Sequence, residues 1–153
     1  MNREQMGQIM FDERHIVTAT ETAHSKVRRM RRIRLRAVTP ANTMTTGQLV
    51  TLLESLCVRE LQRHLDPEAE RAVGHSIRLL CSTAIPCGSL LRIRGWVHTI
   101  GDRDVTFFIH AQDDQEQVCE GTIRLVVLAR GELEGRIERK VEAIARRELF
   151  LAA

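Results

Sequence analysis

One apolar segment limits what this chain can fold into more than any other. The stretch TTGQLVTLLESLCVREL, residues 45–61, carries eight Leu, Val or Cys side chains, spread around most of a helical circumference. A helix that is apolar on most sides has to be wrapped by other structure. Glu54 stands in the middle of it. A carboxylate buried without a partner loses several kcal/mol to desolvation. Either a cation compensates Glu54, or the position has a use.

The surrounding segments say what does the wrapping. Thr45 and Gln48 form a capping-box pattern, so a helix is expected from about Thr46 to His64, stopping before Asp66-Pro67. Upstream, Ile33, Leu35 and Ala37 alternate with Arg32, Arg34 and Arg36, which reads as a strand within 25–38. HIVTATET (15–22) alternates weakly. The first 24 residues read as a polar N-terminal extension, with a single domain over 25–153. Downstream, DPEAERAVG is a polar connection. Strand patterns follow at 75–84, 90–100, 105–112 and 117–129, separated by the turns IPCG, GDRD and DDQE. An amphipathic helix closes the chain, with Ile137, Val141, Ile144 and Leu149 on one stripe. This order predicts an α+β chain. A curved antiparallel sheet curling around one central helix satisfies both the meander and the apolar helix. That is the hot-dog arrangement, a half-sandwich that usually pairs with a second copy edge to edge.

Composition excludes several alternatives. At 153 residues the chain can build one real core and not two. A net charge of +3 is too weak to imply a nucleic-acid binder, and the absence of Tyr removes stacking platforms for single strands. No apolar run is long enough for a membrane span or placed as a signal peptide. The four cysteines (57, 81, 87 and 119) lack C-x-x-C spacing and read as reduced, mostly buried thiols of a cytoplasmic protein.

Residues 45–88 resemble the fluoroacetyl-CoA thioesterase branch of the hot-dog thioesterases. The matching pieces are Thr46-Gly47 opening the helix, Glu54 eight residues after Thr46, Cys57-Val58-Arg59, Gly74, and the strand ending STAIPCG. The likeness extends more weakly to Gly121-Thr122. The resemblance implies hydrolysis of an acyl-CoA or acyl-carrier-protein thioester, without cofactor or metal, by a homodimer; a dimer of dimers stays open. It implies that Thr46 and Glu54 are catalytic and that Gly74 contacts substrate. The family's histidine, on the strand after the helix, falls on Cys81 when counted from Gly74 and Gly88. Arg124 stands one position before the family's arginine of the last strand.

The residues have chemistry of their own. Helical spacing sets Glu54 on a stripe with Val50, Cys57 and Leu61. Its structural reading is an ion pair with Arg78 or Arg92; its functional reading is a carboxylate that attacks a thioester or activates water. At the helix start, the amides near Thr46 and Gly47 can hold a developing oxyanion, or Thr45–Gly47 can simply cap. Eight residues put Thr46 about 12 Å along the axis from Glu54. For both to serve one carbon, either the helix start unwinds or two subunits share the site.

Cys81 poses the sharpest problem. A thiol with a pKa of about 8.5 is a poor substitute for imidazole. As a nucleophile it only exchanges one thioester for another, and its structural reading is a small buried apolar side chain. His75 lies six residues back, about 20 Å along the strand. His98 and His110 are candidate proton donors, provided they face the cleft. The missing histidine motivates a second hypothesis, a non-catalytic acyl-CoA or acyl-carrier binding module. A dehydratase is a lesser alternative, since it needs a histidine–acid pair. The arginine face at 28–36 reads as solvated surface, as a strip for coenzyme A phosphates or an acidic carrier, or as a nucleic-acid patch, which the lack of interleaved aromatics disfavours.

Overall fold

The structure is a computed structural model that describes residues 10–16, 22–23, 43–81, 85–86 and 88–151. Strand β1 is Met10–Ile16, β2 is Thr22–Ala23 and β3 is Thr43–Met44, and helix α1 spans Thr46–Gln62. Next come β4 (Glu70–Cys81), β5 (Ile85–Pro86), β6 (Leu90–Ile100), β7 (Asp104–Gln112), β8 (Gln117–Ala129) and helix α2 (Arg130–Leu151). The main sheet has the order β1-β6-β7-β8-β4, antiparallel throughout, and β2-β3-β5 form a small second sheet. Among the described residues no helix is long and apolar enough to cross a membrane.

Alternation along the strands builds one continuous inner face. Val105, Phe107, Ile109 and Ala111 of β7 are fully buried, as are Leu91 and Ile93 of β6 and Ile123 and Leu125 of β8. Against them α1 buries Leu49, Leu53, Leu56, Cys57 and Leu61. Each such aliphatic side chain contributes roughly 1.5–3 kcal/mol, so the helix is held mainly by this face. The cap at its start is the one the sequence predicts: the Thr45 hydroxyl accepts from the Gln48 amide, and the Gln48 side chain accepts from the Thr45 amide.

Two expectations need correction, and one cannot be compared. Met10–Ile16, inside the stretch read as a polar extension, is instead the edge strand β1, paired along β6 from Met10–Trp96 to Ile16–Leu90. An edge strand needs little apolar content, and here Phe11 alone enters the core. Strand β4 begins at Glu70, not at residue 75, because Ala72 and Gly74 already face inward and the Gln62 side chain bonds the Glu70 carbonyl and the Ala72 amide. The arginine-rich strand expected within 25–38 lies outside the described residues. The apolar stripe of α2 is present, but Ile137, Val141 and Ile144 are exposed.

Gly121 is the backbone position on which the β4–β8 pairing turns. Its φ is +146°, and an added Cβ would stand 2.1 Å from the Arg78 carbonyl oxygen. Gly121→Ala is therefore expected to lose about 2 kcal/mol or more of stability in urea denaturation. Gly131→Ala, on open helix surface, should be neutral or gain up to about 1 kcal/mol. Equal midpoints for the two variants would refute this account of the β4–β8 edge.

Candidate active site

Glu54 projects from the middle of α1 onto β4. Its carboxylate lies so close to Gly74 that a Cβ there would come within 1.8 Å of Oε1. Only a residue without a side chain leaves room for the carboxylate, so Gly74 and Glu54 are one structural unit. The carboxylate is half-buried. Neither proposed cation reaches it. Arg92 is bound to Asp12 at 2.5 Å, and Arg78 alternates onto the other face of β4, between the inward Ile77 and Leu79. Among the described residues Glu54 makes no ion pair. The structural reading of this carboxylate thus loses both its partners.

A neighbouring thiol senses that charge. Cys57, one turn along and fully buried, is pushed up to about 12, first by burial and then by the Glu54 carboxylate. It is a neutral core side chain at any ordinary pH. Beside it, an open cleft of about 500 Å³ runs along α1, lined by Glu54, Ser55, Val58, Arg59, Gln62 and Arg63.

The helix is unbroken from Thr46 to Gln62, so its start does not unwind. Thr46 and Gly47 are exposed at that end. The capping box engages the amides of Thr45 and Gln48, and the first intrahelical bond runs from the Leu49 amide to the Thr45 carbonyl. The Thr46 and Gly47 amides lie between these, outside both arrangements. Within one chain they stand about 12 Å along the axis from Glu54. The structure therefore joins Glu54 to Gly74 and keeps both apart from Thr46 and Gly47.

Cys81 belongs to the Thr46 end. Gln62 bonds the start of β4 and Glu54 lies at Gly74, so α1 and β4 run in opposite directions. Cys81, seven residues beyond Gly74, is roughly 20 Å along the strand from the Glu54 contact. Within one chain it is therefore not a neighbour of Glu54. A register shift between Gly74 and Ser76 marks a bulge at His75. The extra residue turns Ile77, Leu79 and Cys81 toward the core. There the Cys81 sulfur lies 3.1 Å from that of Cys119, its direct partner on β8.

The three histidines weighed in the sequence, His75, His98 and His110, face elsewhere. His75 is exposed at the bulge. His98 is exposed beside Phe108, their ring centroids 6.5 Å apart. His110 alternates to the outer face and bonds Gln117 at 3.1 Å. Trp96 and Phe108 also pack together outside the sheet, their ring centroids 5.0 Å apart, whereas Phe107 and Phe11 lie in the core on the helix side. Arg124, near the family's arginine position, is bound to Asp104 at 2.7 Å. Sequence reasoning missed His15, which shares the inner face of β1 with Phe11 and Glu13, and the Glu13–Arg59 pair that ties β1 to α1. Their signal was the alternation at 11, 13 and 15 in a stretch too polar to stand out.

Comparison with known proteins agrees with this fold. The sequence model for fluoroacetyl-CoA-specific thioesterases matches residues 17–131. The fluoroacetyl-CoA thioesterase of Streptantibioticus cattleyicolor is 24% identical over 98 residues, covering 64% of this chain and 70% of that protein. A solved structure of a fluoroacetyl-CoA thioesterase superposes with a TM-score of 0.70 at 19% identity, over 86% of this chain and 93% of that one. A hot-dog-like protein from Thermanaerovibrio acidaminovorans gives 0.73 at 18% identity, over 92% and 97%. The chain belongs to the family of fluoroacetyl-CoA-specific thioesterases, hot-dog hydrolases that act on acyl-CoA thioesters.

Proposed function

We propose that this hydrolase cleaves acyl-CoA at a site shared by two copies of the chain, with Glu54 and Gly74 from one and Thr46 and Gly47 from the other. The observation that carries the proposal is the Glu54 carboxylate over Gly74, without an ion pair among the described residues, on a continuous helix about 12 Å from Thr46. Strand β4 offers the means of sharing. It has twelve residues, is free of proline and, among the described residues, stands at the edge of the sheet, and such an edge invites pairing. A two-fold antiparallel β4–β4 contact centred on Arg78, with the extra residue at His75 left out of the pairing, sets Gly74 of one chain opposite Cys81 of its partner, both on the helix side. Glu54 then approaches the partner's helix start, and two equivalent clefts result.

In that arrangement Glu54 activates water or attacks the thioester carbonyl itself. The Thr46 hydroxyl and the Gly47 amide hold the oxygen as charge develops on it. The tetrahedral intermediate collapses by breaking the C–S bond, and the water proton passes through Glu54 to the departing sulfur. A thiolate with a pKa of about 8.5 leaves far more readily than an alkoxide. Replacement of the family histidine by Cys81 thus removes an aid to turnover, not a requirement, and hydrolysis is favoured over the non-catalytic binding module. The cysteines among the described residues, Cys57, Cys81 and Cys119, are free thiols, which suits a reducing, cytoplasmic setting.

A thiol-release assay over a panel of short acyl-CoA substrates tests the site. Glu54→Gln should lower kcat at least about 100-fold, and Gly74→Ala should do nearly as much by displacing the carboxylate. Unchanged turnover in Glu54→Gln would end the proposal. Cys81→His is expected to raise kcat, with its largest gain near neutral pH.

Mixed dimers test the sharing. Thr46→Ala and Glu54→Gln chains, each inactive alone, should regain about a quarter of wild-type activity when unfolded together and refolded, by statistical pairing. No recovery would mean that each chain is self-sufficient. A stable monomer in light scattering would exclude the shared site.

A further inference from the structure

We infer that Cys81 and Cys119 form a reversible dithiol–disulfide site, and that its oxidation state sets hydrolase activity; the second half rests on the shared-cleft reading above. The pair is the closest approach of two thiols among the described residues. Their sulfurs are 3.1 Å apart, and the residues are direct cross-strand partners on β4 and β8. Directly opposed residues of antiparallel strands have Cα atoms roughly 4.5–5.5 Å apart, inside the range a disulfide spans. Closing the bond therefore needs a shift of about 1 Å at sulfur and no rearrangement of the strands.

The bulge at His75 creates the pair. Upstream of it Gly74 stands opposite Leu125, and downstream Ser76 stands opposite Arg124. Without the extra residue Cys81 would stand opposite Val118 and point to the outer face. The same irregularity that seats Gly74 under Glu54 thus brings Cys81 inward onto Cys119.

The two thiols are unequal, which gives the reaction an order. Cys81 is half-buried and stands at the end of β4, whereas Cys119 is 1% exposed. Burial, and then a hydrogen bond to the Cys81 sulfur, hold the Cys119 thiol protonated. Cys81 is accordingly the attacking sulfur. As thiolate it attacks hydrogen peroxide, forming a sulfenic acid and releasing hydroxide, which takes up the proton that Cys81 gave up. Cys119 then attacks the Cys81 sulfur, its own proton leaving with the sulfenic oxygen as water. Two thiols and one peroxide become one disulfide and two waters, and a small dithiol reverses the change. The disulfide pins the end of β4 that the proposed cleft places beside the helix start, and draws the Cys81 sulfur away from it.

The full-length protein treated with hydrogen peroxide, alkylated and digested should yield a Cys81–Cys119 linked peptide, with thiols falling from four to two and returning to four under dithiothreitol. Linkage through Cys87, or sulfinic acid at Cys81 without a cross-link, would overturn the site. Cys119→Ala and Cys119→Ser should keep the reduced-state turnover and lose the response to peroxide, while the wild type slows at least tenfold and recovers on reduction. A disulfide that forms with turnover unchanged would refute its control of activity. Absence of hydrolysis in the fully reduced protein would count against the proposed function alone, because the peptide and thiol readouts do not depend on it.

Discussion

The contact between the Glu54 carboxylate and the bare Cα of Gly74 organises the rest of this molecule. A side chain at residue 74 would come within 1.8 Å of the carboxylate oxygen, so helix and strand can approach only because one of them carries no Cβ. The approach seats α1 along β4 in opposite directions, with Gln62 bonding the strand's start. It also leaves a half-buried carboxylate that makes no ion pair among the described residues. A protein built only for stability has an easy remedy, since an aliphatic residue at 54 would match Leu53 and Leu56. The retained carboxylate is a feature that packing does not explain and that the proposed hydrolysis would use.

Much of the fold could be read along the chain because its signals are local. The Thr45–Gln48 capping box, the Asp66-Pro67 stop and the turns at GDRD and DDQE each act within a few residues. What escaped depends on distant pairing. Strand β1 carries one core residue, Phe11, in a polar stretch, and it is a strand because β6 offers it an edge. The bulge at His75 leaves no mark in the apolar pattern, yet it decides which face every later residue of β4 occupies. For that reason Cys81 could be aligned with a family position, while its neighbour Cys119, thirty-eight residues away, could not be anticipated.

The candidate site divides along the same line. Glu54, Thr46 and Gly74 are recognisable from spacing and resemblance, and the structure adds which of them touch. The alternatives for Glu54 were closed by register. Arg92 faces Asp12 and Arg78 points outward, both consequences of strand parity that the sequence leaves ambiguous until the helix side of the sheet is known. The same parity sends His98, His110 and Trp96 outward.

In the proposed site, a cysteine at residue 81, where the resemblance puts the family's histidine, gains its meaning from the leaving group. An oxygen ester departs as a strongly basic alkoxide and depends on a general acid; a thioester departs as a thiolate whose conjugate acid has a pKa of about 8.5. The proton that histidine would donate is therefore worth little once the C–S bond stretches, and a thiol costs the reaction least where the leaving atom is itself sulfur. The same substitution adds a property that imidazole lacks, because a second thiol on β8 already faces the position. Cys119 is fully inside the core and held protonated, so without Cys81 it would be an inert packing group. With Cys81 opposite, the two sulfurs form a site whose chemistry is distinct from hydrolysis and adjoins it.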